Sequence, residues 1–218
     1  MYKKTLIFFL LFISANPYYA NAQFIKSYGL KTGFHFSNHI WNYSDSFLDN
    51  YYNMPPKSRF LFELGVFGEF FSHKYLSFVS EFNIFPKGAG FEYNKKDANG
   101  NTIGKGKVIA QVNYFSFAEK LKARYGNKNG SLYCFTGLTL ELIFLRSDDA
   151  DLKKVYEKFK SPVIAAVFGI GLEYKRFLIE SQYDLDITNS ISSEKGSIKN
   201  YIFSFRIGFK FGKLKNMY

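Results

Sequence analysis

Phe177-Leu178-Ile179-Glu180-Ser181-Gln182-Tyr183-Asp184-Leu185-Asp186-Ile187 alternates apolar and polar residues along nearly its whole length. Phe177, Ile179, Tyr183, Leu185 and Ile187 fall on one side; Glu180, Gln182, Asp184 and Asp186 fall on the other. Successive side chains of an extended chain point to opposite faces, so this period predicts a strand with one oily and one charged face.

Seven further stretches repeat the pattern. Tyr28, Leu30, Thr32, Phe34 and Phe36 oppose Gly29, Lys31, Gly33 and His35. Phe60, Phe62, Leu64, Val66 and Phe70 oppose Glu63, Gly65 and Glu69, and Leu76, Phe78, Phe82 and Ile84 oppose Ser77, Glu81 and Asn83. Next, Phe115, Phe117, Leu121 and Tyr125 oppose Ser116, Lys120, Lys122 and Arg124, with Glu119 out of place on the oily side. Leu138, Leu140, Leu142 and Phe144 oppose Gly137, Thr139 and Glu141. The run from Ile164 to Tyr174 sets its apolar residues against Gly169, Gly171 and Glu173, and the last sets Phe203, Phe205, Ile207, Phe209 and Phe211 against Ser204, Arg206, Gly208 and Lys210.

Long connections (37–58, 86–107, 146–160, 188–199) alternate with short ones near 72–74, 126–130 and 175–176. An even strand number, short turns at one end and long loops at the other are the signature of an outer-membrane barrel. The expected fold is all-β: an eight-stranded antiparallel up-and-down transmembrane β-barrel, with its apolar face to lipid and a polar, filled lumen.

A soluble lipid-carrier barrel would turn the oily face inward. Two features of the polar face argue against that. It carries many glycines, which weaken a water-facing strand but suit a crowded interior. It also holds both signs of charge, which can pair inside a closed ring. The expected lumen network is Lys31, Glu63, Glu81, Glu141, Glu173, Glu180, Asp184, Asp186, Arg206 and Lys210. Phe70, Tyr125, Tyr174 and Phe177 flank the short turns as part of an aromatic girdle. Aromatics make up 21% of the chain, yet the mean hydropathy is only −0.16, as in strands with a single oily face.

Met1 to Ala22 reads as a cleaved signal peptide, with Lys3 and Lys4, an apolar run from Leu6 to Ile13, and Ala20-Asn21-Ala22 before the cut. Residues 23–218 then form the barrel domain. Cys134 is the sole cysteine, so no intrachain disulfide closes the fold, and it reads as a small strand residue. The net charge is +11, with lysines concentrated in connections. Export excludes nucleic acid as a partner; the excess reads first as solvated loop charge, with lipopolysaccharide or other surface polyanions as the binding alternative.

The chain resembles the PorT-like, "porin family" small outer-membrane β-barrel proteins of Gram-negative bacteria. The resemblance is carried by the leader ending at Ala22-Gln23, by Tyr133 to Gly137, Gly169-Ile170-Gly171-Leu172-Glu173-Tyr174, Tyr183 to Asn189, and the closing Phe205 to Phe211. Ala118 stands where such families often have proline, and the chain runs on past Phe211 to Tyr218. The resemblance implies partnership with the barrel-assembly machinery during biogenesis, and some members take part in type IX secretion.

No catalytic, cofactor or metal site emerges. His35 lacks a serine or acid at fixed spacing, and Asp184 with Asp186, about 7 Å apart along one row, are expected to pair with Arg206. The first long loop holds Trp41, Tyr43, Phe47, Tyr51 and Tyr52, a composition suited either to binding or to packing over the barrel mouth. The functional expectation is a non-enzymatic outer-membrane protein that is structural or binds at the cell surface through outer loops, with a periplasmic or surface protein partner possible. The alternatives are a secretion-accessory barrel and a small lipid-modifying enzyme.

Overall fold

The computed structural model describes residues 25–43, 57–71, 75–97, 99–127, 129–146, 161–193 and 196–211. The expected signal peptide lies outside them. The strands are β1 (Ile25–Tyr43), β2 (Lys57–Phe70), β3 (Leu76–Lys96), β4 (Thr102–Gly126), β5 (Gly130–Arg146), β6 (Val163–Tyr174), β7 (Phe177–Asp186), β8 (Ile191–Ser193) and β9 (Gly196–Phe211). Each of β1 to β6 pairs antiparallel with the next in the chain, and β7 pairs with β9. β1 then pairs with β9 from Tyr28↔Phe211 to Tyr43↔Gly196 and closes the ring. β8 pairs with β9 alone, so the wall has eight staves, as the alternation predicted.

Neighbouring residues prove which face is inside. Ile207 is 61% exposed while Arg206, one step before it, is 2% exposed. The same alternation holds for Phe62 beside Leu61 and Ile179 beside Glu180. Thus the exterior is a belt of Phe, Leu and Ile, and the interior holds the charges. At the short-turn end Phe71, Tyr75, Tyr125, Tyr174 and Phe177 point outward, while Phe70 is half-buried. Glu119 does face outward, where its carboxylate accepts a hydrogen bond of 2.6 Å from the Ser80 hydroxyl of the adjoining strand. A closed, untruncated ring with such a belt leaves no backbone edge in lipid, which is the outer-membrane solution to spanning a bilayer.

The expected loop boundaries need correction. Residues 37–43 continue β1 along β9. Most of 86–107 is strand: β3 and β4 run 21 and 25 residues and pair up to Lys96↔Thr102. Pro86, which has no N–H to donate to a ladder, pairs with Asn113 without interrupting it. A strand needs only about ten residues to cross the hydrocarbon. β6 and β7, with 12 and 10, are close to that minimum, so among the described strands one side of the wall stands far taller than the other. The highest pairing of β2 on β3 is Lys57↔Gly90, and of β5 on β4 Val112↔Arg146. Among the described residues, the strand segments of 91–111 therefore pair only with each other, as a two-stranded ribbon, with Glu92 ion-paired to Lys57 of β2 at 2.7 Å.

Its tip is the turn 97–101. The Asp97 carboxylate accepts hydrogen bonds from the backbone N–H of Asn99 (2.9 Å) and of Asn101 (2.8 Å). The Asn101 N–H, together with the Asn101 side chain and the neighbouring amides, holds the Asp97 carboxyl below its usual range. A depressed folded value means that this contribution is complete above the unfolded pKa of about 3.9 and fades as pH falls through the lower folded value.

The interior is not wholly polar. Phe67, Val79, Tyr133, Phe135, Val167 and Leu178 form a buried apolar collar that the alternation did not reveal. Glycines make room for its rings. A Cβ on Gly171 would stand 2.6 Å from the Tyr133 hydroxyl oxygen, and one on Gly169 2.7 Å from Cε2 of Phe135. These are cross-strand partners, Tyr133↔Gly171 and Phe135↔Gly169, so each ring lies flat over its glycine.

Gly171→Val should destabilise the barrel by about 1–3 kcal/mol through overpacking, read as a lower unfolding temperature on heat-modifiability gels, with recovery when Tyr133→Ala is added. Amide exchange at Asn101 should stay protected from neutrality to about pH 4 and lose protection below it; Asp97→Ala should lack that protection throughout.

Candidate functional site: the charged lumen

The inward residues sort into three levels. The central one is built on Glu81 of β3. Its carboxylate takes Lys31 of β1 at 2.5 Å, Lys120 of β4 at 2.6 Å and Arg206 of β9 at 3.0 Å. Glu180 of β7 takes Lys31 at 2.7 Å and Arg206 at 2.6 Å, and accepts the Tyr133 hydroxyl at 2.8 Å. Lys120 also donates to Gln182 at 2.8 Å, and Gln182 donates to both oxygens of Asp184. Glu63 stands 3.9 Å from the Arg206 guanidinium. Two carboxylates and three cations thus tie opposite walls together. A Cβ on Gly33, the partner of Arg206, would stand 2.9 Å from Cγ of that arginine, so glycine is what admits the long side chain here.

Towards the short turns, Glu69 of β2 pairs with Arg124 and, at 3.1 Å, with Lys210. Lys210 reaches Glu173 of β6 at 2.5 Å, and Lys122 reaches it at 3.0 Å. The apolar collar lies between this level and the centre. Its rings are part of the electrostatics too. The ammonium of Lys31 stands 4.8 Å from the Phe67 centroid, that of Lys120 4.8 Å from Phe135, and that of Lys122 4.0 Å from Tyr133. The negative ring faces offset part of the cost of burying those ammoniums.

At the outer level Lys87 of β3 bridges Glu141 and Asp186, each at 2.7 Å. Asp186 also accepts from Ser190 at 2.7 Å and from the Asn200 side chain at 2.6 Å. His35 Nε2 is bound to the Pro86 carbonyl oxygen at 2.7 Å, so it is committed to the backbone.

All ten expected network residues face the lumen, but their pairing differs from expectation. Asp184 and Asp186 do not pair with Arg206: Gln182 holds the first and Lys87 the second. Arg206 meets Glu81 and Glu180, which are across the barrel and beside it. Lys87 falls inside the expected 86–107 connection, although the row Glu81, Asn83, Phe85, Lys87, Ala89 keeps the inward parity. Of the proposed aromatic loop, Trp41 and Tyr43 sit on β1 opposite Ile198 and Gly196, and Phe47, Tyr51 and Tyr52 lie outside the described residues.

A void between Lys31, Phe67, Glu81, Lys120, Phe135 and Glu180 measures about 10 Å³, room for one water. Eight strands enclose a space that side chains fill.

No family model matches the chain, and neither does any curated protein. Among solved structures it is similar to Neisserial surface protein A (10% identity, TM-score 0.44, covering 84% of this chain and 97% of that one). It is similar to the outer membrane protein OprG of Pseudomonas aeruginosa (10% identity, TM-score 0.48, 86% and 96% covered) and to the outer membrane enzyme PagL (9% identity, TM-score 0.42, 81% and 97% covered). A likeness of this degree concerns the fold alone and selects no activity.

Removing one member of the central network strands its partners. Arg206→Met should cost about 3–5 kcal/mol in urea titrations of the refolded barrel, and Arg206→Met with Glu180→Gln should cost less than the single change. Equal loss in both variants would refute the pairing.

Proposed function

We propose that this outer-membrane protein is a non-enzymatic scaffold whose packed barrel holds a basic ribbon, residues 91–111, above the membrane to bind anionic surface polymers such as lipopolysaccharide. One observation carries the reading: among the described residues, β3 and β4 pair with each other well beyond the outermost pairings of β2 and β5. A ribbon of that length is not needed to close the ring. It carries Lys95, Lys96, Lys105 and Lys107 against Glu92 and Asp97. Its two edges, which no described strand pairs, offer backbone donors and acceptors, and the lysines discourage edge-to-edge pairing with a second copy. Excess positive charge at that height attracts phosphate-rich sugar polymers.

The lumen supports a scaffold over a channel. Its cations and carboxylates are engaged with each other at every level, and an ion passing through would have to break those pairs. The engagement of His35 with Pro86, and of Asp186 with Lys87, Ser190 and Asn200, likewise favours a structural over a catalytic role. The PorT-like resemblance and a cleaved leader belong to this same reading.

Replacing residues 92–106 by a two-residue Asn-Gly turn should leave a heat-modifiable, folded barrel and reduce its retention on immobilised lipopolysaccharide at least tenfold. Unchanged retention would refute the ribbon's role. Planar-bilayer recordings of the intact protein should show no stable nanosiemens steps.

A further inference from the structure

Among the described residues, two that are not glycine have backbones in the left-handed region, Phe71 at φ 43° and Lys175 at φ 54°. Both sit at the short-turn end, periplasmic in an outer-membrane barrel. Bulky side chains are rare there, and tight hairpins ordinarily use Asn or Gly at such positions. The chain instead places an aromatic and a cation, the two residue types that partition to a membrane–water interface.

We propose that this rim is an anchoring site for anionic phospholipid headgroups of the periplasmic leaflet, with Lys175 and Arg176 binding the phosphate and Tyr174, Phe177 and Phe71 seated at the acyl boundary beside it. Tyr174 and Phe177 are cross-strand partners that flank the two cations and point outward. The Lys175 ammonium stands 5.2 Å from the Tyr174 ring centroid, so the charge is held at the height of the girdle. The turn is fastened on both sides: Lys210 N–H donates to the Arg176 carbonyl at 2.8 Å, and Lys175 N–H donates to the Asn129 carbonyl at 3.1 Å. A fastened turn presents its two cations with little ordering left to do on binding.

The surroundings reinforce the field. The lumen level just above contains Lys122, Arg124 and Lys210 against Glu69 and Glu173, an excess of positive charge. No Asp or Glu among the described residues of this rim is exposed. In sequence the other two short connections, Ser72-His73-Lys74 and Asn127-Lys128-Asn129, also carry a lysine and no acid, whereas 147–160 and 188–199 carry both signs. The belt of lipid-facing residues ends directly at Tyr174 and Phe177, so the molecules that reach Lys175 and Arg176 are the lipids of that leaflet.

The test uses the full-length barrel refolded into phosphatidylcholine nanodiscs containing spin-labelled phosphatidylglycerol or spin-labelled phosphatidylcholine. The wild type should retain the glycerol lipid in preference, and Lys175→Asn with Arg176→Gln should lower that preference about fivefold per charge removed. Millimolar inorganic phosphate should not compete. Lys175→Asn alone, which relieves the backbone, should unfold at the wild-type temperature or above it in phosphatidylcholine. The proposal is overturned if the double variant keeps the wild-type preference. Competition by inorganic phosphate would overturn it in favour of a free-phosphate site. A lower unfolding temperature for Lys175→Asn would overturn it in favour of a purely structural turn.

Discussion

A charged side chain inside a ring of eight strands must find its counter-charge within reach, because the ring is too narrow to bring water to it. Burying an ammonium or a carboxylate without a partner costs several kcal/mol, enough to erase most of a domain's stability. Glu81 meets this constraint by gathering Lys31, Lys120 and Arg206 from three other strands. Glu180 gathers two of the same cations from the far side. Each pair is also a cross-brace, since the partners stand on different staves. The network therefore stabilises the closed ring.

Glycine and aromatic residues make that packing possible. Tyr133 and Phe135 lie over Gly171 and Gly169 and carry lysine ammoniums on their open sides. Glycine, ring and cation form a layered unit that fills the lumen between two charged levels. The oily exterior needs no such precision, because lipid tails adapt to whatever surface they meet. Cys134, exposed on that exterior, fits this tolerance as a small apolar residue in the belt.

Much of the fold was legible because side-chain parity is a local property. A residue two steps from Glu180 shares its face whatever the rest of the chain does, so Gln182, Asp184 and Asp186 were placed correctly inside. The outer ends of the strands were not legible. The expected connection starts at residue 86, yet the antiparallel ladder with β4 continues through Pro86 to Lys96. The inward aromatics Phe67, Tyr133 and Phe135 were missed too. An apolar residue at a polar-face position reads as noise until a facing glycine is seen to leave it space.

Period-two alternation in eight runs, with long and short connections in turn, was enough by itself to determine a lipid-facing barrel with a charged interior. Only the tertiary structure decided which charge meets which. Strand tilt and the stagger of the closed ring set the height at which each inward residue stands, and height is what brings Arg206 to Glu81 and Lys87 to Asp186. That stagger is a property of the whole circle of hydrogen bonds, including the β1–β9 seam between the two ends of the sheet, and no local stretch of sequence contains it.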